Sequence, residues 1–171
     1  MNKLIIPAII ISAAFTRLIP HPPNFTPIIA MGLFGGAYLK DRRLVFLIPL
    51  IAMIIADIFL GFHGTMIWVY GSLMLISMMG ILLKNRTSLV NCSVAALGGS
   101  LLFFVVTNFG VWFISEFYEK SITGLITCYA MALPFFHNTL AGSVVYSAIM
   151  FGGYAALKNY LPDSVPDSIQ K

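Results

Sequence analysis

The chain has 171 residues, of which 59% are hydrophobic and only 9% charged, and its mean hydropathy is +0.93. Soluble domains carry about 25% charged residues, so water is excluded as the main solvent. The formal net charge of +4 comes without a basic groove interleaved with aromatics; nucleic acid is therefore not an expected partner, and the charge reports orientation in a lipid bilayer.

The first apolar segment runs from Leu4 to Pro20. Its apolar core ends at Thr16-Arg17 without a small-x-small cleavage site, so it is expected to be retained rather than removed as a signal peptide. Ala8, Ser12 and Thr16 form a small-residue stripe at i, i+4 and i+8 that permits close approach of another helix. Next comes His21-Pro22-Pro23-Asn24-Phe25-Thr26-Pro27. Its prolines cannot continue a helix and make a stiff connection, suited to one wall of a pocket or simply to a rigid hairpin.

The second segment, Pro27 to Leu39, is short for a span of about 20 residues and is expected to be tilted, broken or protected by neighbours. It carries Gly32, Gly35 and Gly36 as a second small-residue surface, and Gly152 and Gly153 make a third. Segments Leu44 to Phe62, Met66 to Leu83, Leu89 to Ser115 and Asn138 to Leu157 follow, with a further apolar stretch from Ile122 to Phe136. Pro134 breaks that stretch just before His137-Asn138-Thr139, which points to a short capping segment at 122–136 and a sixth helix beginning near Asn138.

Loop charges choose between six and seven crossings, because Lys and Arg in short loops stay in the cytoplasm. With six, Lys3, Lys40, Arg42, Arg43, Lys84, Arg86, Lys158 and Lys171 lie inside and only Arg17 and Lys120 outside; with seven, Lys158 and Lys171 change sides and the bias weakens. The expectation is an all-α integral membrane protein with six transmembrane helices and both termini cytoplasmic. Residues 1–160 form a single transmembrane domain and 161–171 a short polar tail.

Counting about 1.5 Å per residue from the basic rim puts Arg17, Asp57, Tyr70 and Ser143 at one level, about 21 Å away. Beyond it lie His21, Asn24, His63, Trp68, Asn108, Trp112, His137, Asn138 and Thr139. The other half is Ile, Leu, Met, Ala, Gly and Phe, which describes a cup open to the outside and closed below rather than a pore.

Each of these residues has a structural reading beside the functional one. An ionisable Asp57 inside a membrane is a functional candidate, but it could equally be a buried partner of Arg17, which could itself reach the headgroups. The three histidines lack metal-ligand spacing and suit loops and caps, and no metal or other cofactor is expected. Trp68 and Trp112 could stack on a flat solute or belong to an interfacial aromatic belt. Cys92 and Cys128 fall near opposite faces, too far apart for a disulfide. The chain has no GxxxxGK[ST], HExxH or G-x-S-x-G, so neither its own P-loop nor a familiar hydrolase site is present. The expectation is therefore a non-enzymatic protein.

The runs Arg17-x-x-Pro20-His21-Pro22-Pro23-Asn24-Phe25-Thr26-Pro27, Asp57-x-x-x-Gly61-Phe62-His63, Thr107-Asn108-Phe109-Gly110-Val111-Trp112 and Pro134-Phe135-Phe136-His137-Asn138-Thr139-Leu140-x-Gly142 resemble a bacterial family of small, uncharacterised proteins assigned to transport. That family is in turn similar to the substrate-binding S components of energy-coupling factor (ECF) transporters. The family often has an acidic residue after the glycine that matches Gly142, where this chain has Ser143. The resemblance implies a subunit of the bacterial cytoplasmic (inner) membrane that captures a small water-soluble micronutrient, such as a vitamin or nucleobase-like compound, in an outward cup. Its partners would be an ECF transmembrane T component, met through Ala8 and Ser12, and two ATPase subunits. Nickel and cobalt members begin Met-x-His, whereas this chain begins Met1-Asn2-Lys3, which disfavours metal uptake. The residues expected to bind substrate are Arg17, His21, Asn24, Asp57, His63, Trp68, Tyr70, Asn108, Trp112, His137, Asn138 and Thr139.

Overall fold

Side-chain caps start three of the helices where the sequence turns polar. Asp41 accepts from the Arg43 amide at 2.8 Å, Ser88 from the Asn91 amide at 3.2 Å and Ser121 from the Gly124 amide at 3.1 Å. A computed structural model describes residues 4–160; Met1-Asn2-Lys3 and the expected polar tail at 161–171 lie outside the described residues. Six helices follow in order: α1 (Ile5–Phe15, extended by a 3₁₀ turn at Thr16–Leu18), α2 (Ile28–Tyr38), α3 (Arg42–Leu60), α4 (Met66–Leu82), α5 (Leu89–Ile114) and α6 (Ile122–Ser147). A π-helical turn (Ala148–Gly152) carries α6 on into a final segment, α7 (Gly153–Tyr160). There is no strand among the described residues.

Three of these helices are long and apolar enough to cross a membrane: Arg42–Leu60, Leu89–Ile114 and the continuous Ile122–Asn159. Their outward surfaces are apolar as well, with Ile58, Phe59, Val94, Leu101, Ile126 and Ile149 all exposed. Such surfaces suit hydrocarbon rather than water, and this is a membrane protein.

The short α2 is the centre of the bundle. Every residue from Ile28 to Ala37 is buried, so α2 is protected by neighbours, one of the arrangements its length allowed. Closest of these is α4, which runs parallel to it. A Cβ at Gly36 would fall 2.6 Å from the Gly80 Cα and onto the Ser77 carbonyl, while one at Gly80 would fall 2.5 Å from the Leu33 carbonyl oxygen. Gly32 meets the Ile76 side chain in the same seam. The small residues of α2 thus bring two backbones together inside the bundle. Gly152 and Gly153 differ, since a Cβ at either would meet nothing within 4 Å. Towards the basic end, Phe34 packs edge-on against Phe151 and Tyr154, with ring centroids at 5.3 and 5.6 Å.

The expected break at Pro134 does not occur. Residues 122–136 are not a separate capping segment, because Pro134 lies inside α6 and the helix continues for 38 residues to Asn159. At about 1.5 Å per residue this is about 57 Å, nearly twice a hydrocarbon core of about 30 Å. A proline inside a helix costs about 3 kcal/mol, but α5 grips α6 on both sides of it. Tyr129 donates to the Val105 carbonyl at 2.7 Å, and Phe136 meets Phe104 at 4.8 Å between ring centroids. In apolar surroundings, unravelling the helix would also strand further backbone groups.

Candidate functional site: a polar cavity at one end of the bundle

Arg17 sits in the 3₁₀ turn that ends α1, and Asp57 is in the last turn of α3. Arg17 Nη1 donates to Asp57 Oδ1 at 2.7 Å and faces the Met53 sulfur at 3.4 Å. Tyr70 of α4 donates its hydroxyl to Asp57 Oδ2 at 2.7 Å. Both carboxylate oxygens are therefore taken by protein donors, and the Asp57 side chain is only 2% exposed. Three helices that the residue count set at one level are joined there by one charged cluster. Ser143, counted to the same level, forms a separate link: its hydroxyl lies 2.7 Å from that of Ser100 and donates to the Leu140 carbonyl.

Above the cluster opens a cavity of about 310 Å³. Arg17, Asn24, Thr26, His63, Thr65, Thr107, Asn108 and Thr139 supply its polar lining, and Ile28, Val69, Phe103, Phe104 and Val111 its apolar walls. One wall is the proline-rich loop. Asn24 takes a left-handed conformation, φ 64°, which asparagine tolerates better than most residues. The loop closes tightly there, with the Phe25 amide donating to the Pro22 carbonyl at 3.0 Å. The loop then lies flat on α6, where a Cβ at Gly142 would come within 3.0 Å of the Thr26 nitrogen. Opposite, one face of α5 presents Phe103, Phe104, Thr107, Asn108 and Val111. Thr107 donates to the Phe103 carbonyl at 2.7 Å and Asn108 to the Phe104 carbonyl at 2.8 Å, so each keeps its side-chain oxygen for other partners. In the α3–α4 loop, His63 Nδ1 is 2.8 Å from the Thr65 hydroxyl.

Of the residues expected to bind substrate, Arg17, Asn24, His63, Asn108 and Thr139 line this cavity, whereas the other seven do not. Asp57 and Tyr70 lie behind Arg17 and brace it. Trp68 packs between α4 and α5 on Gly110, 5.3 Å from the Phe109 ring centroid. Trp112 ties the α5–α6 turn: its indole donates to the Glu119 carbonyl at 2.9 Å and Lys120 covers the ring at 5.6 Å. His21 sits in the loop with Nδ1 3.2 Å from the Pro22 carbonyl, His137 is exposed and Asn138 is half-buried. No group of three His, Cys, Asp or Glu among the described residues could hold a metal ion.

Sequence reasoning missed Thr26, Thr65 and Thr107 together with the apolar walls. The spacing of Phe103, Phe104, Thr107, Asn108 and Val111 along one helical face was the available signal.

A second hollow of about 280 Å³ lies at the basic end, between the start of α5 and the π-helical turn. It is mostly apolar, and the Ser147 hydroxyl on its wall has no hydrogen-bond partner among the described residues.

The profile of a family described as "Family of unknown function (DUF6580)" matches residues 1–164, nearly the whole chain. The chain belongs to DUF6580. No curated protein and no solved structure matches it. For this DUF6580 member the chemistry rests on the cavity itself, which meets the buried α2 at Ile28 and carries Arg17 as its fixed charge.

Proposed function

We propose that this protein is the substrate-capturing membrane subunit of an importer, like the S component of an ECF transporter, and that its cargo is a small water-soluble micronutrient. The observation that carries the reading is the one-ended cavity. A hollow of about 310 Å³ lies at the end away from the basic loops, and of the buried α2 only its first residue, Ile28, borders it. Binding pockets start at about 300 Å³ and combine apolar walls with a few fixed polar groups; here those are Phe103 and Phe104 with Asn108, Thr107 and Thr139. A channel would need polar lining throughout, whereas the hollow at the basic end is mostly apolar, shares no lining residue with this cavity and lies beside the packed rings of Phe34, Phe151 and Tyr154.

In this reading the chain crosses the bacterial cytoplasmic membrane six times with both ends inside, and the cavity faces out. Ala8 and Ser12 lie on the exposed face of α1 and are available to a T component, which would bring the ATPases that the chain lacks. The protein binds and hands over its cargo without chemistry. In support, Ser143, a candidate nucleophile at the polar level, is bonded to Ser100 and to the Leu140 carbonyl, with neither histidine nor Asp57 as a base.

A structural or assembly role is the competing reading, favoured by the self-satisfied Arg17–Asp57–Tyr70 cluster. Native mass spectrometry of gently purified protein, with the released compound then identified, separates the two. Capture predicts a stoichiometric small metabolite that is lost in a folded Asn108→Ala variant. Protein that stays empty after expression in rich medium, and on adding back a cell extract, contradicts capture.

A further inference from the structure

We infer that the captured solute is an acid: a small, single-ring carboxylate held by the free edge of the Arg17 guanidinium. The inference rests on the capture reading and adds the chemical class of the cargo. An arginine carries five N–H donors. The protein engages only Nη1, through Asp57 Oδ1 at 2.7 Å and the Met53 sulfur at 3.4 Å. Nε and Nη2, which form the two-pronged edge of the guanidinium, have no protein acceptor among the described residues, although the Arg17 side chain is only 11% exposed and lines the cavity. Neither nitrogen is cut off from solvent, so the edge is free to take a ligand, and a carboxylate matches it with two parallel charge-assisted bonds.

The rest of the lining selects for the same class. No aspartate or glutamate borders the cavity, and Asp57, the acid closest to Arg17, has both oxygens engaged by Arg17 and Tyr70. A cationic solute would meet the guanidinium with no counter-charge of its own. An anion is instead met by Arg17 and by the Thr139 hydroxyl, which has no protein partner among the described residues and is not cut off from solvent. A neutral amide brings one acceptor oxygen and no charge to that edge, where a carboxylate brings two oxygens and a negative charge. Phe103 and Phe104 make part of the wall aromatic, which suits a ring, and a volume of about 310 Å³ is at the small end for ligand pockets.

The test uses the full-length protein and the compound it releases on denaturation. A released carboxylic acid supports the inference. A released neutral or cationic compound overturns it while leaving capture intact, and an empty protein overturns capture and the inference together. Arg17→Lys keeps a cation for Asp57 but removes the two-pronged edge; occupancy is expected to fall at least about tenfold with the melting temperature unchanged, and unchanged occupancy refutes the inference. If that variant does not accumulate, the wild-type protein decides the matter. Millimolar benzoate should displace the bound compound and an equal concentration of benzamide should not. Displacement by both, or by neither, refutes the inference.

Discussion

Replacing Arg17 and Asp57 singly and together measures what holds the polar end of the bundle. The pair is 2.7 Å apart, with side chains 11% and 2% exposed. Removing one partner of such a buried pair costs about 3–5 kcal/mol, because the other charge is left uncompensated in surroundings that cannot hydrate it. Arg17→Met should lie at the upper end of that range, since Asp57 would keep only the Tyr70 hydroxyl. Asp57→Leu should lie at the lower end, because the guanidinium borders the cavity and can draw water from it. The double variant has no charge to strand, so apolar replacement of both should be close to neutral. With single costs of at least about 3 kcal/mol each, the expected coupling is at least about 4 kcal/mol, well above the roughly 0.5 kcal/mol seen for independent sites. Reversible unfolding in mixed micelles at neutral pH, with all four proteins under identical lipid and detergent, gives the cycle. Costs that simply add would refute the argument that the two charges compensate each other.

Three further outcomes follow from the packing. Gly36→Ala and Gly80→Ala should each abolish most of the folded yield, because the new methyl would meet backbone of the facing helix, while Gly71→Ala, with nothing within 4 Å, should be neutral or stabilising by about 0.5–1 kcal/mol; detergent-extracted yield and melting temperature read both. Trp112→Phe should lose the bond to the Glu119 carbonyl and lower stability by about 1 kcal/mol without changing ligand occupancy, because Trp112 is outside the cavity; lost occupancy at unchanged stability would contradict the site as drawn. With both native cysteines buried, Thr65→Cys in intact cells should react with a membrane-impermeant maleimide, and Thr87→Cys only after permeabilisation; the reverse pattern would invert the proposed orientation.

The membrane class and most of the helical segments were legible in the sequence because they follow from apolar length alone, whereas the shortness of α2 left tilted, broken and protected arrangements open until its burial decided between them. Helical rise also sufficed to bring Arg17, Asp57 and Tyr70 to one level. The continuity of α6 was not legible. Pro134 signals a break locally, and the bonds that override it, from Tyr129 and Phe136 to α5, are tertiary. Depth counting gives a residue's height but not its azimuth, which is why Trp68 and Trp112 were expected at the cavity and are found elsewhere. Thr107 escaped notice for a different reason: a helical threonine can satisfy its hydroxyl on its own backbone, as Thr107 does on Phe103, so nothing in the sequence marks it as facing a cavity.

The most direct test of capture is to weigh the small molecule released by the wild-type protein against that released by Thr107→Trp, in which an indole would occupy the cavity beside Asn108 and Phe104. The account predicts close to one molecule per wild-type chain and essentially none from the filled variant at a comparable melting temperature. Equal amounts from both proteins, or none from either, would contradict it.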